Sequence, residues 1–361
     1  LLVRYSASVQ GAPRKRAEVY TPDEHPIRRS QIDPDAVRIA ERLKSAGFRA
    51  YVVGGAVRDL LVGRTPKDFD LVTDAHPRRL KSLFRNSRII GKRFRLVHVY
   101  FNQKIIEVST FRALDAGGET NVYGTIQEDV QRRDFTLNAL YYCPLEGIII
   151  DYVGGLRDIR RRLVQPLIPL KTIFTEDPVR IVRAVKYAAA LDFRIPFLLR
   201  RKMRRQTPLL DAVSSSRLTE ELYKILQSGS ATPIFRMMHE IGVLNSFCPA
   251  LAEMLKNGRD GFRDRFFATL EAHDAAVEGN MERSRLVLPL VKDFIEDLKK
   301  TRSPEDLLPK DAYVLVKDFV KPLVPANKDV DSIVSDLLRR KKTRSRGPRR
   351  RPRRPRPSPA V

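Results

Sequence analysis

The chain has 361 residues, 42% of them hydrophobic, which suffices for two or three domains with sizeable cores. No apolar run approaches the roughly 18 residues of a membrane span, and the first twenty residues lack the apolar core of a signal peptide. The formal net charge is +25, with 12 cations and no acid in the last 23 residues, from Arg339 onward. A basic body with a basic tail points to a polyanion, above all nucleic acid, with a solubility tail as the plain alternative. Two cysteines, Cys143 and Cys248, lie in no metal-type spacing and read as buried thiols of a reducing, cytoplasmic compartment.

Residues 1–30 are basic and Pro-punctuated and read as a flexible N-terminal segment. Asp33-Pro34 starts a helix whose apolar face is Ala36, Ile39, Ala40 and Leu43, closed by Gly47. Tyr51-Val52-Val53 is a short β-prone run ending at Gly54-Gly55, where a bare backbone can turn beside a ligand. Ala56 to Leu61 reads as a helix start, with Arg58 as a cation suited to phosphate. After a turn at Gly63 to Pro66, strand alternation in Asp68-Phe69-Asp70 puts both aspartates on one face. Paired carboxylates suit Mg²⁺, a hard cation that keeps substrate phosphates in its shell. Each piece alone reads equally as a loop turn or as solvated acids. In this order, one helix apart, they set out a phosphate cradle and a metal pair, the layout of nucleotidyl transfer.

Arg78 to Phe84 suits a short helix, and Ile89 to Phe101 a strand, turn and strand. Ile105 to Phe111 is another strand with Glu107 at its centre, read as a third carboxylate of the site or as a solvent-facing residue. Residues 113–123 form a loop near the substrate. RRDFTLNALYY (132–142) reads as a helix in which Asp134 and Asn138, four apart, share a face with Arg132 and Arg133 nearby; the plain alternative is an amphipathic helix with an ion pair. Ile148 to Val153 closes the head's sheet and Gly154-Gly155 ends it.

Beyond this the chain reads as helical. Thr175 is an N-cap with Glu176, Asp177 and Pro178 in the first turn. Asp177, Arg180 and Arg183 fall at i, i+3 and i+6, able to read a base edge or a phosphate, or to form an exposed ion-pair ladder. Arg200, Arg201, Lys202, Arg204 and Arg205 suit an RNA backbone or a solvated helix face. Helices alone follow from Ser216 to Leu338. His273-Asp274, with His239 upstream, resembles the pair of a phosphohydrolase site but lacks the apolar helix context expected around it. The expected fold is α+β: a flexible segment (1–30), a mixed-sheet head (31–160), a helical neck (161–227), a helical body (228–338) and a disordered Arg/Pro-rich tail (339–361).

The motifs GGAVRD (54–59), DFD (68–70), IEVSTFR (106–112), RRDFTLNALYY (132–142), DYVGGLRDI (151–159), TEDPVRIVRAVKYAA (175–189) and SRLTEELYKIL (216–226) together resemble the class II nucleotidyltransferases. These are the bacterial poly(A) polymerases and the CCA-adding tRNA nucleotidyltransferases. The resemblance implies that Gly54, Gly55 and Arg58 hold the triphosphate, with Arg112 among the nucleotide-binding residues. It implies that Asp68 and Asp70 bind Mg²⁺ (or Mn²⁺), with Glu107 in the third carboxylate position and Asp134 at a further functional acid. Arg133 and Asn138 would contact the ribose, and Glu176, Asp177, Arg180 and Arg183 would choose the base. ATP would be the substrate and an RNA 3′ end the acceptor. IIGKRFRLVHV (89–99), PDEHPI (22–27) and the Arg/Pro tail resemble the poly(A) polymerases in particular. CCA addition to tRNA is the alternative, and a catalytically silent RNA-binding protein is the alternative of another class.

Overall fold

The computed structural model describes residues 2–7, 13–91, 95–114, 122–257, 261–279, 281–303 and 307–338. The tail from Arg339 and the centre of the 113–123 loop lie outside the described residues.

The chain opens with strands β1 (Leu2–Ala7) and β2 (Pro13–Tyr20), then helix α1 (Pro34–Ser45), β3 (Ala50–Val53), α2 (Gly55–Leu61), β4 (Asp70–Thr73) and α3 (Pro77–Leu83). Strands β5 (Ser87–Ile90), β6 (Leu96–Phe101) and β7 (Lys104–Thr110) follow, then α4 (Ile126–Gln131), β8 (Leu140–Cys143), β9 (Ile148–Asp151) and α5 (Gly155–Arg160). Among the described residues nine strands form one sheet in the order β1-β2-β9-β8-β3-β4-β7-β6-β5. Every pairing is antiparallel except β4 with β7, which is parallel. A parallel neighbour needs a crossover, and α3 with the β5–β6 hairpin supplies it.

The central strand β3 is buried on both faces. Val52, Leu71, Val108 and Tyr142 face the core under α1 and α2, while Tyr51, Val53, Val72 and Tyr141 pack on the other side with Ile126 and Val130 of α4. Asp33 caps α1 by accepting from the Asp35 N–H at 2.8 Å, with Pro34 as its first residue.

The rest is helical: α6 (Ile173–Glu176), α7 (Val179–Leu191), α8 (Phe197–Gln206), α9 (Ser215–Leu226), α10 (Ala231–Ile241), α11 (Leu244–Phe247), α12 (Pro249–Asn257), α13 (Phe262–Ala276), α14 (Arg283–Thr301), α15 (Pro309–Phe319) and α16 (Asn327–Leu338). One apolar core runs from the helix side of the sheet through Phe174, Ile181 and Val185 to Leu222, Phe235 and Leu290. Neck and body therefore grow out of the head without a break in packing. Among the described residues no helix is long and apolar enough to cross a membrane.

Three expectations are corrected. The segment 1–30 is not loose where it is described: β2 pairs with β9, and Ala17, Val19, Tyr20, His25 and Ile27 are buried. Its charges masked an alternating strand with an apolar inner face. RRDFTLNALYY is not a helix but a 3-10 turn (Thr136–Asn138) followed by β8. Leu137, Leu140 and Tyr141 mimic helical spacing, yet the aromatic pair Tyr141-Tyr142 fits a strand buried on both sides. Thr175 does not cap the long helix. Its hydroxyl donates to the Thr172 carbonyl within α6, Asp177 breaks the chain in an extended conformation, and α7 begins after Pro178. The His273-Asp274 pair is structural: His273 Nε2 bonds the Leu226 carbonyl oxygen at 2.8 Å, and Asp274 caps α10 by accepting the Ala231 and Thr232 N–H groups at 2.7 and 2.8 Å.

Candidate active site

Strand register builds the site. Val53 lies opposite Asp70 in the β3–β4 pair, so the chain leaves β3 at Gly54 beside the point where Asp70 enters β4. Leu71 lies opposite Val108 in the β4–β7 pair, which sets Asp70 and Glu107, one step earlier on each, side by side. Gly54 has φ +69° and ψ −129°, a conformation open to glycine and strained for other residues. Asp68 stands just before β4, exposed to the same space.

Arg58, on the second turn of α2, donates through Nη1 to Asn138 Oδ1 at 2.9 Å and through Nε to Asp59 at 2.8 Å. Arg133 donates to the Tyr141 hydroxyl at 3.1 Å, the Asn138 carbonyl at 3.0 Å and Asp129 at 3.1 Å. Asp129 also accepts from the Tyr141 hydroxyl at 2.7 Å, so a buried carboxylate holds both. Burial pulls the Arg112 guanidinium below its ordinary pKa, with Asp129 opposing. Asp134 is buried; its Oδ1 is hydrogen-bonded within the protein, while its Oδ2 has an ion-pair neighbour but no aligned hydrogen bond among the described residues. Oδ1 accepts from the Phe135 N–H at 2.8 Å and Asn138 Nδ2 at 3.2 Å, and Oδ2 pairs with Arg183 at 3.0 Å.

The neck brings its own polar row. Asp177 caps α7 through the Val179 N–H at 3.2 Å and pairs with Arg217 at 3.0 Å. Arg180 is held by the Ile173 carbonyl and by Glu176, each at 3.0 Å. Arg183 pairs with Asp134, so the three residues do not form an ion-pair ladder among themselves.

A cleft of about 880 Å³ gathers these groups. Gly54, Gly55, Arg58, Asp68 and Asp70 line it from the first half of the head, and Arg112, Arg133, Asp134 and Asn138 from the second. Asp177, Arg180 and Arg183 line it from the neck. Glu107 and Glu176 do not. Glu107 faces His98 across the β6–β7 pair, at 3.5 Å, and Glu176 stands half-exposed on the outer side of Arg180. The α8 cations lie apart from the cleft. Arg201, Lys202 and Arg205 line a separate groove with Lys171, beside exposed Phe197 and Leu198 (75% and 63% exposed). Arg200 and Arg204 reach toward Glu240.

Several residues of the cleft carry no local sequence signal. Lys186 and Lys224 flank Glu221, whose carboxyl they hold below the usual range although burial pushes it up. Lys67 donates to the Gln227 carbonyl, joining the Asp68 loop to the end of α9. Tyr187, one turn after Arg183, was legible only as an aromatic among cations.

Asp70 is the electrostatic centre. Asp70 stays open to the cleft at the start of β4, but the protein packed around it withdraws part of its hydration, and with Glu107 and Asp68 alongside and Arg133 opposing this pushes its acid up to about 6. Crowded carboxylates of this kind fit a divalent cation. Among the described residues no three Asp, Glu, His or Cys side chains gather into a ready-made cation cage. Asp68 and Asp70 thus suit Mg²⁺ or Mn²⁺ as a two-carboxylate anchor, with substrate oxygens and water completing the shell.

A glycine turn, paired aspartates on the adjoining strand and a helix presenting arginines to one cleft define a nucleotidyltransferase. Residues 50–165 match the family described as Poly A polymerase head domain, and residues 192–255 the one described as Probable RNA and SrmB-binding site of polymerase A. Poly(A) polymerase I of Salmonella typhi is 37% identical over 279 residues, covering 73% of this chain and 60% of that protein. Poly(A) polymerase I of Escherichia coli O6:H1 is 34% identical over 335 residues, covering 87% of this chain and 72% of that protein. The crystal structure of the Bacillus stearothermophilus CCA-adding enzyme in complex with CTP superposes with a TM-score of 0.59 at 26% identity, covering 85% of this chain and 83% of that one. The chain belongs to the class II nucleotidyltransferases, the family of poly(A) polymerases and CCA-adding enzymes. It spans 60% of the length of the Salmonella relative and 72% of the Escherichia coli one.

Proposed function

We propose that this chain adds adenylates from ATP to RNA 3′ ends without a nucleic-acid template, releasing pyrophosphate. The observation that carries the reading is the meeting, in one cleft, of the Gly54–Arg58 turn, Asp68 and Asp70, and the Asp177, Arg180 and Arg183 row. In the reaction the RNA 3′-oxygen bonds to the α-phosphorus, the bond from that phosphorus to the bridging oxygen breaks, and pyrophosphate leaves with the electron pair.

When bound at Asp68 and Asp70, Mg²⁺ or Mn²⁺ supplies charge neutralisation on the phosphates and eases ionisation of the 3′-hydroxyl. Arg58 and Arg133 add fixed positive charge for the triphosphate. Each is already held by protein partners, so little reorganisation is needed on binding. Asn138, fixed between Arg58 and Asp134, offers amide chemistry to a ribose hydroxyl. Asp177 and the arginines of α7 carry donors and acceptors to a base edge, the job a template strand otherwise does. Asp134 serves as a positioning residue for Arg183 and Asn138. The groove on α8, with its cations and exposed Phe197, supplies phosphate contacts and a stacking face for the RNA.

Poly(A) addition is favoured by the poly(A) polymerase I relatives at 34–37% identity. The likeness to a CCA-adding enzyme bound to CTP favours the second reading, CCA addition to tRNA. An acceptor comparison separates them: oligo(A) against a tRNA lacking its terminal CCA, with ATP, CTP and both. The proposal expects long ATP-only tails on oligo(A). Addition confined to the tRNA, requiring CTP and stopping after the trinucleotide is complete, would replace it with CCA addition.

A further inference from the structure

Five side chains close a ring across the junction of head and α7. Arg58 donates to Asn138 Oδ1 at 2.9 Å, and Asn138 donates to Asp134 at 3.2 Å. Asp134 pairs with Arg183 at 3.0 Å, and Arg183 donates to the Tyr187 hydroxyl through Nη2 at 3.2 Å and Nε at 3.4 Å. The Arg58 guanidinium then lies 5.0 Å from the centroid of the Tyr187 ring, which closes the circuit. Tyr187 cannot swing freely, since Phe135 packs edge-on against it at 5.9 Å.

The two ends of this ring have different tasks under the function proposed above, on which the inference rests. Arg58 belongs to the triphosphate end of the cleft and Arg183 to the base end. We infer that Tyr187 is a positioning residue that couples them: its hydroxyl sets the Arg183 fork for base choice, and its ring face holds Arg58 for the triphosphate. An arginine side chain has many rotamers. Two hydrogen bonds to one phenol oxygen and an ion pair to a buried carboxylate select one of them. Those bonds use Nε and Nη2 and leave Nη1 without a protein partner among the described residues, free for a ligand. The ring face of tyrosine attracts a guanidinium whether or not the hydroxyl is present. The two roles therefore separate by substitution.

Tyr187→Phe removes the hydroxyl and keeps the ring; Tyr187→Leu removes both. Three quantities are read on the full chain: kcat/KM for ATP, kcat/KM for CTP, and the Kd of inorganic tripolyphosphate, a probe with no base. Tyr187→Phe is expected to lower the ATP-to-CTP preference about fivefold, the scale of one lost hydrogen bond, with the tripolyphosphate Kd unchanged. Tyr187→Leu is expected to lose the preference as well and to weaken tripolyphosphate about threefold or more. An unchanged ATP-to-CTP ratio in Tyr187→Phe overturns the inference, as does an equal fall for both nucleotides in that variant. Tripolyphosphate binding unaffected in Tyr187→Leu overturns the coupling to Arg58. Transfer of neither nucleotide by the unsubstituted chain is a different failure, that of the proposed function, and leaves the tripolyphosphate comparison to judge the Arg58 contact alone.

Discussion

Crowding like charges costs energy, and a folded chain keeps such a cluster where a ligand relieves it. Asp70, raised to about 6 by partial loss of hydration and by Glu107 and Asp68, is the clearest case here. Buried neutral groups make the opposite kind of residue, one that serves only the fold. His25 is buried, its Nε2 bonds the Gly147 carbonyl oxygen at 2.9 Å, and its Nδ1 has no hydrogen-bond partner among the described residues. Burial is the main cause that holds its pKa below the ordinary 6.5. The unfolded chain then takes up this proton at higher pH than the folded one. The stability His25 contributes is complete above about pH 6.5 and is lost as pH falls through the lower folded value. Asp70, with its acid raised to about 6, pulls the opposite way over the same range, so the test is a difference: relative to His25→Gln, the native chain is expected to lose thermal midpoint between about pH 7.5 and 5.5, and an equal pH slope in the two proteins would contradict this. The thiols are inert by the same physics. Burial pushes Cys248 up to about 12 and raises Cys143, so a thiol reagent should titrate both only after denaturation. A fast-reacting thiol in the native chain would contradict this.

At the scale of elements, the site depends on two close approaches that tolerate little change. A Cβ on Gly155 would sit 2.3 Å from the Thr136 carbonyl oxygen, because α5 packs directly on the turn that carries Asn138. Asp151 anchors the same corner by accepting the N–H groups of Val153, Gly154, Gly155 and Leu156 within 3.0 Å. Gly155→Ala is expected to cost roughly 1–3 kcal/mol and to raise the KM for ATP as the Asn138 turn shifts, read by urea unfolding and steady-state kinetics. Unchanged stability and KM would mean that the corner has slack. Local signals made the strand–Gly-Gly–helix–DxD order legible, because β-prone residues, glycines and paired acids speak for themselves within a few positions. The placement of Glu107 was not local. It follows from the single parallel pairing of β4 with β7, a register between distant segments. The break at Asp177 was hidden because an N-cap reading of Thr175 and a two-helix reading share the same residues. Strand β2 was hidden because PRKRAEVY has the charge of a loose segment. Tyr187 lies four residues after Arg183 on one helix face, a spacing that a core aromatic shares equally, so only the bonds from Arg183 distinguish it.

For the whole molecule the dominant property is charge. With a net +25, RNA binding should be strongly salt-dependent, and the α8 groove gives that dependence an address. Replacing Arg201, Lys202 and Arg205 together by alanine should reduce the slope of log K against log salt for single-stranded RNA by about 2, with less effect on turnover at saturating RNA. An unchanged slope would leave α8 as a solvated face. Truncation at Arg339 is expected to weaken RNA binding more than it slows chemistry; unaltered affinity and slope would make the tail a spacer. The continuous core from sheet to body implies that head and neck present one cleft rather than two separable halves. The most direct test of that cleft is primer extension on an RNA oligonucleotide with ATP and Mg²⁺, comparing the native chain with Asp70→Asn, an isosteric change that removes the charge and keeps the shape. Adenylate addition is expected from the native chain and a loss of about a hundredfold or more in the variant, with a thermal midpoint at or above that of the native chain, since the substitution removes the crowded charge. Equal extension by both proteins would contradict this.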